Sequence, residues 1–592
     1  MDWNGWISLM TVAGVLITLM TTRLGTDLVM LTALIFLTVS GILTHQEALA
    51  GFSNSGLITV AFMYVIAAGI HNTGGLDWII KHLLGHPQTI RYAQARVIAP
   101  VAGLSGFLNN TPVVATFIPA IARWARHHGI PVAPLLMTLS YAAILGGTLT
   151  LIGTSTNLIV NGLYMDLADT EGFHLFDITR ISVPVVLAGL IFIVLWLPFV
   201  LRGRRNNGRQ MFGDFREYTV EMAVANDGPL VGQTVEEAGL RHLQGLYLVE
   251  IEREGGVVTA VPSEERLRSG DRLVFAGDVQ SIIELRQIRG LVPSTEEQPL
   301  LAKEAPERRI VEAVVSPECL AVGSTIRESR FREKYGAVVL AIARNGKRIE
   351  GNLGNIRLES ADTLLLEARP VFVTRQRYSR DFLLVNDTEE ESPDHRKSWR
   401  AWTILLAVVL LAATNTLSML HAAMVGALAM MATKCLNLNL ARRSLDGHVL
   451  LTIACSFALG NAMDKTGAAA WLAHGVLSLT AGDYLLMLVA TYALVNVMTE
   501  MITNNAAALL TLPIVLAITQ STGMPAEPFV LTLMMAASAS FTTPLGYQTN
   551  LMVFGPGGFR FIDFMRAGLP LNILCGIMTV LTVSTVYPGG AG

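Results

Sequence analysis

The stretch SGFLNNTPVVA, residues 105–115, decides the fold of this chain because a polar cluster interrupts a segment that is otherwise apolar. A second stretch, TEMITNNAAAL at residues 499–509, repeats the pattern at an offset of 394 residues and aligns Asn110 with Asn504. Unpaired backbone groups are costly in lipid, so irregular backbone at membrane depth is tolerated only against protein or a water-filled cavity. Each cluster therefore predicts two half-helices that meet at a turn inside the membrane and line a site.

Matched turns follow both clusters. GTSTNL at residues 153–158 aligns with GYQTNL at residues 546–551, at an offset of 393 residues. An earlier Thr-Gly pair at 73–74 recurs at 466–467 with the same offset. Two such halves would be related by inverted topology if each crosses the membrane an odd number of times. Inverted repeats are an architecture of secondary transporters.

The composition separates two membrane-like flanks from a soluble-like middle. The 592 residues are 52% hydrophobic and only 15% charged, and 60 of the 89 charged residues fall between Gly203 and Ser398. The formal charge of −3 argues against a nucleic-acid partner. Four widely spaced cysteines indicate neither a disulfide framework nor a zinc site.

Basic residues flank the middle segment at 202–209 and at 396–400, as they do in cytoplasmic loops, so we predict that this insert is cytoplasmic. The expected division of the chain is a first membrane half at 1–202, a first cytoplasmic domain at 203–296, a second cytoplasmic domain with a linker at 297–398, and a second membrane half at 399–592.

The insert itself contains a repeat at an offset of 91 residues. Arg253 aligns with Arg344, and Asp271 aligns with Asp362. Alternating strand-like runs at 246–251 and 337–342 predict two α+β modules of roughly 75 residues each. The pattern resembles the C-terminal domain of regulators of potassium conductance (TrkA-C type), which implies ligand sensing. A rigid packing or dimerisation module without a ligand is the alternative, and the sequence leaves both open.

The residue types at the interruptions suit a small anion and a monovalent cation. Half-helix N-termini present free N–H groups and the positive end of the helix dipole, which favours an anion. Carbonyls freed at unwound turns, together with Asn and Ser/Thr oxygens, suit Na⁺. No charged residue or histidine lies between 97 and 122, so amides, hydroxyls and dipoles would hold the anion there.

Glu500 is the exception, because its counterpart in the first half is Gly106. An ionisable side chain at membrane depth is a functional candidate by default. Two interpretations stay open: Glu500 accepts hydrogen bonds from the backbone of the second hairpin, or it takes part in ion coupling or a proton relay.

No metalloprotease, serine-hydrolase or Walker motif is present in the sequence. We therefore expect neither an enzyme nor an ATP-driven pump, and no organic cofactor.

On these matched clusters the sequence resembles the divalent anion:sodium symporter family, solute carrier family 13, in its sulfate-permease-like branch with two TrkA-C-type domains. The resemblance implies an all-α polytopic membrane protein with inverted repeats and re-entrant helical hairpins, interrupted by two tandem small α+β cytoplasmic domains. It also implies a homodimer in the inner membrane of a bacterium, with a mobile part that carries the site across the bilayer by an elevator-type movement.

The resemblance also assigns site residues. The anion would contact Asn110, Thr111, Thr154, Thr503, Asn504 and Gln548. One sodium ion would use Ser105, Asn109, Asn110 and Gly153, with Asn157 supporting the turn. The second would use Thr499, Asn504 and Gly546, with Asn550 supporting.

The expected function is Na⁺-coupled import of sulfate or a related small divalent oxyanion, tuned by the cytoplasmic domains and by a small-molecule regulator bound to them. A Na⁺-coupled dicarboxylate transporter and a transporter-like anion sensor are the alternatives. A passive anion channel is disfavoured, because both hairpins would have to leave a continuous pore.

Overall fold

The computed structural model describes residues 1–588 except for short gaps. These gaps are 23, 77–84, 86, 88, 202–218, 227, 241–242, 244–245, 254–255, 260, 278–287, 294–308, 345–346, 350–352, 377–378, 380, 388–396 and 545. The basic residues 202–209 and Arg396, on which the predicted orientation depends, lie outside the described residues.

The chain forms two compact units. The first consists of Met1–Arg205, Ser392–Val553 and Arg560–Gly592. The second consists of Asn206–Glu391 together with the hexapeptide Phe554–Phe559 from the C-terminal part of the chain.

The N-terminal part of the first unit is helical, as expected for apolar segments whose backbone groups must all be paired within the segment. Its helices are α1 (Trp3–Thr21), α2 (Thr26–Val39), α3 (His45–Leu49), α4 (Ser55–Asn72), α5 (Ile90–Ser105), α6 (Asn110–His127), α7 (Val132–Gly147), α8 (Ser155–Ala168) and α9 (Thr179–Val200). Helix α5 ends and α6 begins on either side of the first polar cluster, so the predicted break is confirmed.

The second unit contains two five-stranded sheets. Equivalent strands have the same order in both sheets when the second order is read in reverse. The first sheet comprises β1 (Thr219–Val224), β2 (Leu246–Arg253), β3 (Gly256–Thr259), β4 (Arg272–Gly277) and β5 (Leu291–Pro293), in the order β3-β2-β4-β1-β5. The second comprises β6 (Arg309–Val315), β7 (Ala337–Arg344), β8 (Lys347–Arg348), β9 (Thr363–Ala368) and β10 (Phe382–Asp387), in the order β10-β6-β9-β7-β8. Short helices α10 (Phe331–Tyr335) and α11 (Pro370–Gln376) accompany the second sheet.

The repeat within the insert extends to its hydrogen bonds. Arg253 donates from Nε to Asp271 Oδ1 at 2.9 Å, and Arg344 donates to Asp362 Oδ1 at 2.8 Å. Asp271 and Asp362 are both buried, so each carboxylate depends on its arginine. The two modules also share a small apolar cluster that includes Val249 from the first and Val338, Leu340 and Leu365 from the second.

The C-terminal part of the first unit repeats the helix pattern of the N-terminal part. Its helices are α12 (Ser398–Ala413), α13 (Met419–Ala432), α14 (Leu438–Ser444), α15 (Gly447–Lys465), α16 (Ala468–Thr480), α17 (Tyr484–Met501), α18 (Asn504–Thr522), α19 (Glu527–Ser538), α20 (Gln548–Phe554) and α21 (Phe561–Val586). Helices α2 and α13 begin and end at positions 393 residues apart. Helices α17 and α18 break at the second polar cluster, as predicted.

Several helices are long and apolar enough to cross a bilayer. Among the described residues there are five such segments, or six if the bent pair α14–α15, with an angle of 51°, forms one span. The five are His45–Asn72, Thr179–Val200, Tyr484–Met501, Asn504–Thr522 and Phe561–Val586. The chain is therefore a multi-pass membrane protein, whereas several other apolar helices are too short to cross alone.

Candidate functional site

The first tip lies between α5 and α6. Asn110 is the first residue of α6 and is fully buried, and Asn109 beside it is half-buried. The Asn109 Oδ1 atom accepts a hydrogen bond from the Thr111 backbone N–H at 3.4 Å. Asn110 lies against Gly147, where a methyl group would come within 2.7 Å of its amide.

The second tip lies between α17 and α18. Asn504 is the first residue of α18, and its Oδ1 accepts a hydrogen bond from Thr499 Oγ1 at 3.0 Å. Thr499 is fully buried and also lies 2.8 Å from the Ala537 carbonyl oxygen. The threonine therefore ties the tip to the C-terminal end of α19.

Each tip forms side-chain hydrogen bonds to the start of a helix in the other half. Asn110 donates from Nδ2 to the Tyr547 hydroxyl at 2.7 Å, and Thr111 donates to Gln548 Oε1 at 3.2 Å. Thr156 donates to Asn505 Oδ1 at 2.8 Å. The first two bonds join the first turn of α6 to the start of α20, and the third joins the first turn of α8 to the first turn of α18.

The bridging side chains carry no formal charge, but the helix dipoles produce a positive electrostatic potential at this cluster. Helices α6, α8 and α18 contain 18, 14 and 19 residues and all begin at this point. Their N-terminal N–H groups and dipoles make the region favourable for an anion. The bridging side chains add amide and hydroxyl donors.

Carbonyl oxygens converge on Gly153 in the turn before α8. A methyl group at this position would lie 2.5 Å from the Gly147 carbonyl oxygen, 2.6 Å from that of Ser105 and 3.0 Å from that of Gly106. Only glycine fits such a cradle. Asn157 supports the turn by donating from Nδ2 to the Thr150 carbonyl at 3.3 Å.

The turn at Gly546 repeats this arrangement. A methyl group there would lie 2.9 Å from the Thr499 carbonyl oxygen and 3.2 Å from Thr543 Oγ1, and it would also clash with Ser540. Asn550 donates from Nδ2 to the Thr543 carbonyl at 3.2 Å, at the position equivalent to Asn157. The two turns therefore have the same internal hydrogen bond.

Equivalent asparagine oxygens of the two halves differ in whether they have hydrogen-bond partners. In the first half, Asn110 Oδ1 and Asn157 Oδ1, like Ser105 Oγ, are buried without a partner among the described residues. In the second half, Asn504 Oδ1 pairs with Thr499 and Asn550 Oδ1 with Ser140, although Ser540 Oγ beside Gly546 has no partner among the described residues. Burying an oxygen without a partner costs free energy, so these oxygens of the first half are available as ligands for a cation.

Glu500 is bonded entirely to the second turn and to α21. Its carboxylate accepts from the Thr542 N–H at 2.8 Å, from the Thr543 N–H at 2.9 Å and from Asn572 Nδ2 at 2.8 Å. Asn572 donates to Thr542 Oγ1 as well, at 2.7 Å. This geometry favours the interpretation of Glu500 as a backbone acceptor that holds the turn.

The sequence-predicted residues are therefore brought together with one exception. The Thr503 side chain is exposed and makes no capping hydrogen bond to α18, and it takes no part in the bridges described above. Tyr547 was not among the predicted site residues, although its alignment with Thr154 at the repeat offset could have identified it. Ser140 was missed too: its hydroxyl lies 2.9 Å from Thr549 Oγ1 and 2.8 Å from Asn550 Oδ1.

Comparison with known proteins identifies the family. The family model described as "Citrate transporter" matches residues 16–533 and 422–590. The "Putative sulfur deprivation response regulator" of Chlamydomonas reinhardtii is 36% identical over 94% of this chain and 97% of its own. An "Uncharacterized transporter" of Synechocystis is 33% identical over 93% of this chain and 92% of its own. The "Probable sodium/sulfate cotransporter 3" of C. reinhardtii is 26% identical over 96% and 87%.

These matches span both membrane halves and the insert, and the family model and two of the three relatives are named as transporters, not enzymes. This chain is therefore a membrane transporter of the citrate transporter family, within the divalent anion:sodium symporters.

Proposed function

We propose that the protein imports sulfate or a related small divalent oxyanion by coupling its movement to Na⁺. The observation that carries this proposal is the set of bonds between the halves, in which Asn110, Thr111 and Thr156 bond to residues of the other half. These bonds lie where three helix N-termini begin, and none of the six bonded side chains is cationic. An anion held there would exchange these bonds for bonds to itself.

Two sodium ions would bind beside the anion, one in each half. In the first half, the carbonyl oxygens around Gly153 and the unpaired oxygens of Ser105 and Asn110 form a set of hard ligands for Na⁺. In the second half, Thr499, Asn504 and Gly546 would supply the ligands. Na⁺ would reduce the mutual repulsion between the anion and these oxygens, which couples the two bindings.

Sulfate is favoured over citrate or succinate by the short reach of the bridges. Their donor–acceptor distances are 2.7–3.2 Å, so each tip lies in direct contact with the start of a helix in the other half. A compact tetrahedral anion needs less separation of these contacts than an extended dicarboxylate does. The name of one relative as a probable sodium/sulfate cotransporter agrees with this choice.

The larger architecture follows from the same proposal. The two halves are inverted repeats with re-entrant hairpins, the protein is a homodimer in a bacterial inner membrane, and the site crosses by an elevator-type movement. The two modules of the insert are cytoplasmic TrkA-C-type domains that bind a small-molecule regulator. The matching sheet orders of the modules support a duplicated domain.

The test is uptake of labelled sulfate into proteoliposomes that contain the purified protein, with an inward sodium gradient and with an equal sodium concentration on both sides. We expect accumulation only with the gradient. A competition panel of thiosulfate, succinate and citrate then ranks the substrates. Accumulation of citrate or succinate with no competition by sulfate would replace sulfate by the dicarboxylate alternative.

A membrane sensor is the second candidate, because the relative named as a sulfur deprivation response regulator covers nearly the whole chain. A sensor would bind anion saturably without accumulating it, so the same vesicles separate the two functions.

Deleting residues 216–373 tests the role of the insert. If the insert is regulatory, basal transport persists and its control is altered.

A further inference from the structure

Tyr547 precedes α20 and reaches from the second half to the first tip. Its hydroxyl accepts a hydrogen bond from Asn110 Nδ2 at 2.7 Å and lies 3.4 Å from Thr154 Oγ1. The residue is half-buried, and it directly precedes Gln548, which receives the bond from Thr111. The phenol therefore uses donors of the first half that a bound anion would otherwise use.

The equivalent residue of the first half is Thr154, at the repeat offset of 393 residues. A threonine hydroxyl sits close to the backbone, whereas a tyrosine places a rigid apolar ring between the backbone and the same kind of hydroxyl. The two halves are thus alike in the chemistry they present at this position and unlike in the volume they fill.

We propose that Tyr547 is the residue that restricts the site to compact oxyanions. Its ring fills the space that the second carboxylate of a longer anion would need, and its hydroxyl binds the oxyanion together with Asn110 and Thr154. This inference rests on the proposed anion transport and adds the residue that sets its selectivity.

The ring and the hydroxyl have separable effects. The ring excludes longer anions, because a carboxylate pressed against an aromatic face loses its hydration without gaining a hydrogen-bond donor. The hydroxyl contributes affinity, since a phenol can accept from Asn110 and donate its own hydrogen to an anion. Removing the hydroxyl alone should weaken all anions alike, whereas removing the ring should change their order.

The experiment compares wild type with Tyr547→Thr, Tyr547→Phe and the control Tyr484→Phe in the full-length protein. Tyr484 loses the same hydroxyl, but that hydroxyl bonds to the Tyr587 carbonyl at 2.8 Å. Two readouts are taken: inhibition of labelled sulfate uptake by sulfate and by succinate, and the shift in melting temperature that each anion produces in the detergent-solubilised protein. The second readout does not require transport.

For Tyr547→Thr we expect the preference for sulfate over succinate to fall by about tenfold or more, comparable to the discrimination that a pocket achieves against one extra methylene. For Tyr547→Phe we expect weaker binding of both anions, by about tenfold for the loss of one hydrogen bond to a charged group, with the preference unchanged. Tyr484→Phe should leave both readouts as in wild type.

The outcomes separate the two proposals. An unchanged preference in Tyr547→Thr, with wild type responding to anions, would overturn the role of Tyr547 alone. If Tyr547→Thr does not fold, a changed preference in Tyr547→Phe would overturn it equally. Absence of both uptake and anion-dependent stabilisation in wild type would overturn the proposed function together with this inference.

Discussion

The Thr154 hydroxyl lies 3.4 Å from the phenol oxygen of Tyr547, although 393 residues separate the two along the chain. Because 393 residues is also the offset of the repeat, these are equivalent positions of the two halves, and they meet each other. A neighbouring hydrogen bond occurs in both halves at equivalent positions. Thr150 bonds to the Gly106 carbonyl in the first half, and Thr543 bonds to the Glu500 carbonyl at 3.2 Å in the second. The candidate site is thus built from duplicated parts that face one another.

Replacing either tip asparagine should strongly reduce sodium-dependent uptake. Asn110→Ala removes the bond to Tyr547 and an unpaired buried oxygen, and Asn504→Ala removes the acceptor of Thr499. We expect a loss of about tenfold to hundredfold in the uptake rate at low sodium, the size of one or two charge-assisted bonds. Asn437→Ala is the control, because that asparagine only caps α14. Normal uptake by Asn110→Ala would remove the residue from the site.

A methyl group at Gly153 should be far more harmful than one at Gly103 in the same half. Gly153→Ala places carbon 2.5–3.0 Å from three carbonyl oxygens, whereas Gly103→Ala on α5 meets nothing within 4 Å. Overpacking costs about 1–3 kcal/mol, so we expect the sodium concentration for half-maximal uptake to rise by about tenfold or more for Gly153→Ala only. Equal sodium affinities in the two variants would show that the carbonyl cradle does not bind the ion.

Glu500 should behave as a positioning residue for the second turn. Glu500→Gln keeps an acceptor at one oxygen but turns an N–H₂ group toward a backbone N–H, so about 1–3 kcal/mol of stability should be lost. Asn572→Ala removes the neighbouring donor and should reproduce the same defect with a carboxylate still present. The measurement is uptake between pH 5.5 and 8.5 with melting temperature. A pH profile that flattens in Glu500→Gln but not in Asn572→Ala would establish the coupling role instead.

Arg344 should stabilise the second module of the insert in a pH-dependent way. Burial raises the pKa of Asp362, and the hydrogen bond from Arg344 opposes that rise. In Arg344→Ala the buried carboxylate has no cation, so its pKa rises further and the folded module favours the protonated acid. The module then keeps its stability at pH values below the ordinary pKa range of aspartate and loses it as the pH rises through the raised pKa of Asp362.

The expected loss for Arg344→Ala at pH 7 is about 3–5 kcal/mol for an uncompensated buried charge. Hydrogen exchange of β7 and β9 in the full-length protein measures it, and Arg330→Ala, an exposed arginine, is the control. Equal protection of the two variants at pH 7 and at pH 4 would contradict the prediction.

Much of the fold could be predicted because lipid imposes a simple rule on the backbone. The breaks at Asn110 and Asn504, the matched turns and the strands β2 and β7 all follow from polar interruptions or alternation in the sequence. These signals are local. They need no knowledge of which helices are neighbours.

The missed features are pairings between distant segments. Asn572 reaches Glu500 across 72 residues, and Tyr547 reaches Asn110 across 437. Asn572 lies within α21 and has no polar neighbour in sequence that would mark it. Tyr547 carried a signal in its alignment with Thr154, but the sequence does not show that its hydroxyl reaches a residue of the other half.

One hexapeptide gives the insert a short covalent route to the candidate site. Phe554–Phe559 clusters with the insert, and a methyl group at Gly555 would strike Thr363 at the start of β9. Only α20, seven residues and about 10 Å long, separates this hexapeptide from the Thr111–Gln548 bridge. A change at the Gly555–Thr363 contact would therefore act through one two-turn helix on Gln548, the residue that accepts the hydrogen bond from Thr111.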